Sequence, residues 1–296
     1  MPSSTVLKQV LTELFATRDA PRVPEPDLVM DDPAQVAAFR DAGLENGVMA
    51  PVYLFHAANV SSVVRPGDTV LDLGCGPANQ LAMIARLNPA SRFIGVDLSQ
   101  EMLVHARQRV HDGGLRNVEF LAQDITRLND FADASVDAVF STVVLHQLPD
   151  LAAFEAVFQQ IARVLKPGGG LYLVDFAHLK TERVIRYFAQ QYADRQPELF
   201  TRDYHNSLRA AFDLGDWRRC HTSHLAAHGR LHRMFPLPYM VCVKSAIRQR
   251  PDATTRQQLQ ALFDRMPAWH KADYGDLGLL FRLGGLEVGW SPRRKR

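Results

Sequence analysis

Residues 70–102, VLDLGCGPANQLAMIARLNPASRFIGVDLSQEM, read as an apolar strand, a glycine turn, an amphipathic helix and a second apolar strand that closes on Asp97. This order makes two parallel strands whose carboxyl ends frame a crevice able to receive a nucleoside, with backbone at the turn and a carboxylate at the ribose. Gly74 and Gly76 let the chain leave the first strand sharply and let a ligand approach the main chain with no Cβ in the way. A dinucleotide fingerprint, G-x-G-x-x-G, needs a third glycine where Asn79 stands. The turn instead follows an acid, Asp72. A carboxylate there repels a pyrophosphate and suits a ligand that carries an ammonium and a sulfonium.

S-adenosylmethionine has that charge pattern, and the chain from about Gly67 to Ser245 resembles the class I S-adenosylmethionine-dependent methyltransferases. Within them it is most similar to the small-molecule group that includes the ubiquinone and menaquinone biosynthesis enzymes. The resemblance implies that Asp72, Gly74 and Gly76 surround the methionine moiety and that Asp97 takes the two ribose hydroxyls. Asp124, in FLAQDIT after a third strand, matches the acid near the adenine amino group, with Ile125 beside the ring; Leu98 and Thr142 complete the expected cofactor set. The product would be S-adenosylhomocysteine. The family often has glycine where this chain has Ala78, which predicts a modest change in the turn. Each aspartate taken singly also suits a plain strand-ending turn. Three acids closing successive strands, the first running straight into the glycine turn, favour the cofactor reading.

The remaining alternation predicts an α/β fold, Rossmann-like, with a seven-stranded mostly parallel sheet and helices on both faces. Val136–Leu145 is a β-branched buried-strand run, Leu151–Gly170 contains a helix ended by Lys166-Pro167, and GLYLVDFA makes the fifth strand. Asp203–Trp217 reads as the next helix, and two strands are expected within Cys220–Ser245. Three segments are expected: an N-terminal helical cap over residues 1–50, the cofactor-binding core over 51–246 and a C-terminal helical extension over 247–296.

In the cap, Thr5–Thr17 place Val6, Leu7, Val10, Leu11, Leu14 and Phe15 on one helical face, and Pro33–Ala42 form a second helix. These helices either lie over the crevice as a lid, as the resemblance implies, or pack outside the sheet. The connection after the fifth strand, FAHLKTERVIRYFAQQYADRQPELFTRDYH, exceeds the usual length of about 4–6 residues. Its aromatic residues, Tyr187, Phe188, Tyr192, Phe200 and Tyr204, could wall an organic-substrate pocket or dock the insertion on its neighbours. For the C-terminal extension, dimer contact, cap and extra packing layer all stay open.

Methyl transfer from a sulfonium is an in-line displacement, so the protein contributes mainly by holding the nucleophile opposite the sulfur and excluding water. Where the nucleophile carries a proton, a base is needed within hydrogen-bond reach. His146 in VVLHQLPD, just past the fourth strand, is the leading candidate and His178 the second; Tyr53, His56, Tyr187 and Tyr192 are candidate substrate contacts. His221, His224, His228 and His232 have spacings that a helical zinc site would use. Gly229, the β-branched residues and the prolines around them read instead as two strands and a turn, and no metal is expected.

A net charge of +2 gives no bulk electrostatic reason for a nucleic-acid or membrane partner. The Arg293–Arg296 run reads as a solvated tail. Three widely spaced cysteines suggest neither a disulfide framework nor a zinc ribbon, and with neither a leader-like nor a membrane-spanning stretch the expected location is cytoplasmic. The expected activity is methyl transfer to an O, N or C nucleophile of a small organic molecule. A nucleic-acid or protein methyltransferase and a non-catalytic cofactor-binding protein are the alternatives; STVVLHQ in place of an N-P-P-Y type motif counts against part of the first.

Overall fold

In the computed structural model, which describes residues 4–44 and 46–293, a seven-stranded sheet runs through the centre in the order β3-β2-β1-β4-β5-β7-β6. Its strands are β1 (Thr69–Leu73), β2 (Arg92–Asp97), β3 (Val118–Ala122), β4 (Val136–Thr142), β5 (Leu165–Phe176), β6 (Arg230–Arg233) and β7 (Met240–Lys244). β1 to β5 are parallel, whereas β7 runs antiparallel to β5 and β6 antiparallel to β7. The strand order reverses between β1 and β4, which opens a crevice beyond their carboxyl ends. That is where the glycine turn lies.

Strand alternation distributes side chains to two apolar layers. Tyr172, Val174 and Phe176 of β5 join the layer containing Phe55 and Phe281, while Leu171 and Leu173 join the layer containing Phe154 and Trp217. The helices α4 (Asn79–Leu87) and α5 (Gln100–Asp112) cross back between the first three strands, and α6 (Leu151–Val164) between β4 and β5. Asp150 caps α6 by accepting from the Ala153 amide, and Phe154, Val157, Phe158, Ile161 and Val164 recur at helical spacing as its buried face.

α6 ends at Val164, and Leu165 already pairs with Val136, so β5 begins five residues before the expected GLYLVDFA. The KPGG residues form an irregularity in that pairing, with Gly168 at φ +70°, rather than a free loop. Asp203–Trp217 is not one helix. It is the end of α8 (Glu198–Ala210), a break, and α9 (Leu214–Cys220), restarted by an Asp213/Asp216 capping box. The histidine segment is also corrected, because His221–Leu225 continues α9 as a π turn rather than a strand.

Around the core lie α1 (Ser4–Phe15), α2 (Pro33–Ala42) and α3 (Ala50–Val60) at the N-terminal side, α7 (Glu182–Gln190) after β5, and α10 (Ala253–Arg265) and α11 (Ala268–Leu283) at the end. The C-terminal helices pack on α3, where Phe55 stacks on Phe281 at 5.6 Å and meets Tyr274 edge-on. Residues from the cap, the core and the extension therefore share one apolar layer. In α1, Val10 is buried but Leu11, Leu14 and Phe15 are exposed, and Glu13 points inward to accept the Lys180 amide at 2.6 Å. The expected common apolar face is thus not the docked face; the side chains of Val6 and Leu7 lie outside the described residues, as does most of the Arg293–Arg296 run. Among the described residues no helix is long and apolar enough to cross a membrane.

Candidate active site

Two cavities meet at the carboxyl ends of the parallel strands. The first, of about 230 Å³, is lined by all eight residues expected at the cofactor: Asp72, Gly74, Gly76, Asp97, Leu98, Asp124, Ile125 and Thr142. Gly74 leaves β1 at φ +75°, and a Cβ there would lie 2.3 Å from Val144 Cγ1. Gly76 is at φ +52° and its amide donates to Asp97 Oδ2 at 2.8 Å, while the Ser99 amide donates to Oδ1 at 2.9 Å. Asp97 thus holds the glycine turn and the start of α5 together while lining the cavity. A Gly74→Ala variant is expected to lose about 1–3 kcal/mol of stability by strain and displacement of Val144, read by urea denaturation. Ala78 also sits in the left-handed region, at φ 59°, as the residue before α4.

Asp72 is buried, and among the described residues its carboxylate has no hydrogen bond or ion pair; burial, and then the charge of Asp97, push its pKa well up. Asp97 is raised as well, mainly by burial, against the lowering effect of its backbone donors. Asp124 Oδ1 accepts from the Thr126 amide at 2.8 Å and hydroxyl at 2.7 Å. Thr142, at the end of β4, donates to Gln80 Oε1 at 2.5 Å. Among the described residues no lysine or arginine lines the cavity. Of the three carboxylates only Asp124 has a basic neighbour, Arg127 at 3.8 Å and outside the lining, so the set disfavours a phosphate-bearing ligand and fits the ammonium and sulfonium of S-adenosylmethionine, with Leu98, Met102 and Ile125 as apolar surface for an adenine.

The N-terminal segment closes this cavity. Leu28, Val29, Met30 and Phe39 of α2 line it, and the Ser99 hydroxyl ties the segment down through Asp31 Oδ1 at 2.5 Å and the Met30 carbonyl at 3.1 Å. None of the described side chains of α1 is among the lining residues. Neither these residues nor Gln80 and Gln147 carry a local sequence signal; they arrive by long-range packing.

The second cavity, of about 210 Å³, shares Met30, Phe39, Met49, Val143 and Gln147 with the first. Phe188, Tyr192, Phe200 and Tyr204 of the long connection line it, but Tyr187 does not; Tyr187 stands edge-on to Phe188 outside the lining. His146 lines it too, 4% exposed, with Nδ1 2.9 Å from Asp175 Oδ1 and its own amide donating to Asp175 Oδ2 at 2.9 Å. The carboxylate can only accept, so Nδ1 carries the proton and Nε2 is left as the basic atom, 4.0 Å from Glu25 Oε1. Burial alone pulls the His146 pKa down, but Asp175, by charge and hydrogen bond, and Glu25 outweigh it and the net shift is upward. Asp175 ends the fifth strand as other acids end theirs, a signal that sequence reading passed over.

The other candidates are placed differently. Tyr53 lines the cofactor cavity. His56 lines neither cavity: it is fully buried on α3, bonded through Nδ1 to Tyr172 Oη at 2.7 Å, and burial pushes its pKa down to about 3. His178 lines neither cavity; its Nδ1 lies 2.7 Å from Arg18 Nη1, and burial followed by the Arg18 charge pushes its pKa down. The structure thus brings neither His56, a candidate substrate contact, nor His178, the second candidate base, to the lining of these two cavities. His221 Nε2 meets the Gly229 carbonyl at 3.0 Å and His224 Nε2 meets Glu155 at 2.9 Å; among the described residues no three His, Cys, Asp or Glu stand together as a metal site.

Residues 70–169 match the family model described as "Methyltransferase domain". That stretch is a class I S-adenosylmethionine-dependent methyltransferase domain. Arsenite methyltransferase from Halobacterium salinarum is 36% identical over 146 residues, 49% of this chain and 34% of that protein. Trans-aconitate 2-methyltransferase from Azoarcus sp. is 41% identical over 104 residues, 35% of this chain and 37% of that protein. Demethylmenaquinone methyltransferase from Listeria welshimeri is 36% identical over 113 residues, 38% and 46% respectively. The matches thus span less than half the length of these relatives. Among solved structures, a SAM-dependent methyltransferase from Aquifex aeolicus superposes with a TM-score of 0.51 at 20% identity, covering 74% of this chain and all of that one. The methyltransferase fold therefore extends well beyond the matched domain.

Proposed function

We propose that the chain transfers the methyl group of S-adenosylmethionine to a small organic acceptor held in the second cavity. One observation carries this: the acid-lined cofactor cavity shares a wall of Met30, Phe39, Met49, Val143 and Gln147 with an aromatic cavity that His146 lines. When bound, S-adenosylmethionine supplies an electrophilic methyl on a positive sulfur. Asp72 and Asp97 hold its charged and hydroxylated parts, and the N-terminal segment with the apolar wall excludes water from the path between the two cavities. His146, oriented by Asp175, takes the proton of an acceptor that must lose one. The three cysteines are free and buried, which agrees with a reducing compartment and a cytoplasmic enzyme. Transfer of labelled methyl to candidate acceptors tests the reading; cofactor binding without transfer to any acceptor would favour a binding protein.

His146→Gln is expected to lower turnover by about 10²–10⁴-fold for an acceptor that needs a base, with S-adenosylhomocysteine affinity kept. Because the folded-state pKa of His146 lies above its ordinary 6.5, the unmodified enzyme should gain activity as pH rises through that higher value. Its contribution to stability runs the other way, complete below pH 6.5 and lost as pH climbs through the folded value. A pH–rate profile and pH-dependent denaturation of both proteins check this, and unchanged turnover in the variant would remove His146 from the chemistry.

A further inference from the structure

The second cavity is mostly apolar, yet its polar lining is one-sided. Asp203 of α8 and Asp273 and Asp276 of α11 reach it, and among the described residues no lysine or arginine does. Its rings are contiguous: Phe176 lies 5.6 Å from both Tyr204 and Tyr239, Phe188 lies 4.6 Å from Tyr239, and the Tyr204 and Tyr239 hydroxyls are bonded to each other. Tyr192 donates to Asp273 at 2.7 Å, which fixes that carboxylate at the lining. Two cations stand nearby but outside the lining: Arg202, whose Nε is 3.9 Å from Asp203 Oδ1 and whose side chain is largely exposed, and Arg195, its guanidinium 4.7 Å over the Trp269 ring.

Among the described residues the one group of the lining able to become cationic is His146, and its positive form is neutralised by Asp175 and Glu25. His146 also gives an independent sign that a ligand enters here. Its side chain is 4% exposed, it belongs to the lining, and its Nε2 makes no hydrogen bond among the described residues, with Glu25 Oε1 4.0 Å away as its ionic contact. The site is therefore a formed cavity with a poised ring, and the carboxylates determine what it accepts. An anion would enter a low-dielectric space facing three acids, and a neutral molecule would bring no countercharge beyond the exposed Arg202 beside Asp203. A cation would be attracted by them and by the ring faces at once. Burial pushes up the pKa of each of the three carboxyls, against the lowering charges of Arg202 on Asp203 and Arg195 on Asp273.

We propose that this cavity selects a hydrophobic molecule bearing a cationic nitrogen, an aryl or alkyl amine in its protonated or quaternary form, through Asp203, Asp273 and the surrounding rings. The inference rests on the cavity being the acceptor's. It concerns recognition, whichever atom of the acceptor receives the methyl group.

Three probes of nearly the same shape test it by calorimetry and competition: trimethylphenylammonium, its uncharged isostere tert-butylbenzene, and 4-tert-butylbenzoate. They are titrated into the full chain alone and with S-adenosylhomocysteine, whose own affinity is measured separately. The cation should bind at least tenfold more tightly than the isostere, and the benzoate not measurably. Asp203→Asn with Asp273→Asn should reduce that preference to less than threefold while the affinity for S-adenosylhomocysteine is kept, which also shows that the variant is folded. Each single variant should give an intermediate value. Equal binding of the neutral probe, tighter binding of the benzoate, no binding of any probe, or a preference that survives both substitutions would overturn the proposal. Failure of S-adenosylhomocysteine to bind, with the cation preference present, would instead count against the methyltransferase reading alone.

Discussion

Asp97→Ala is expected to reduce S-adenosylhomocysteine affinity by at least 100-fold. A carboxylate accepting ribose hydroxyls makes charge-assisted contacts of about 1.5–3 kcal/mol each, and about 1.4 kcal/mol is a factor of ten, so two contacts already exceed that loss. The variant also releases the Gly76 and Ser99 amides, so the glycine turn loses the carboxylate that holds it against the end of β2. Asp97→Asn separates the two effects. Its amide oxygen can still accept from one of these amides, which keeps the turn, while the charge at the ribose is gone. Calorimetric titration of both variants should place the asparagine between wild type and alanine, and an unchanged affinity in either would mean that the ribose is held elsewhere.

Asp72→Asn should move stability and binding in opposite directions. The raised pKa of Asp72 means that its ionised form is held at a cost in the folded chain, one present above the ordinary carboxylate range and relieved as pH falls through the raised value. Removing the charge should raise stability at pH 7 by about 1 kcal/mol or more, the scale of leaving a buried group uncompensated, which shifts the melting temperature by roughly 2–4 °C at domain sizes of 150–250 residues. Below that pH window the two proteins should converge. Affinity for S-adenosylhomocysteine should fall about tenfold or more, because its ammonium loses the carboxylate it would pair with. Differential scanning calorimetry with and without ligand reads both effects. A variant that is less stable and binds as before would show that Asp72 serves the fold rather than the ligand.

The cofactor cradle was legible because each of its parts is local. A β-branched strand, two glycines and a strand-ending acid sit within 28 residues of each other, from Val70 to Asp97, and backbone geometry converts that order into a crevice. The acceptor side was legible only in part. The aromatic residues of the long connection point to a pocket wall, and four of the five do line it, but α7 has two faces and Tyr187 falls on the wrong one. Histidines were the least readable residues. His146, His178 and His56 look alike beside their strands and helix. Their fates depend on Asp175, Arg18 and Tyr172, partners 29, 160 and 116 positions away. The lid shows the same limit: α1 has the stronger apolar pattern, yet residues 28–30 and Phe39 reach the cavity. Periodicity reports that a face is apolar, while contact depends on what the rest of the chain brings to it.

The most direct test of the cradle is calorimetric titration of the unmodified full chain with S-adenosylhomocysteine, with NAD as the comparison ligand. One equivalent of S-adenosylhomocysteine should bind saturably, be displaced by S-adenosylmethionine, and leave NAD without measurable heat. Absence of heat with S-adenosylhomocysteine at millimolar concentration, or tighter binding of NAD, would contradict the assignment of Asp72, the glycine turn and Asp97 to a sulfonium nucleoside.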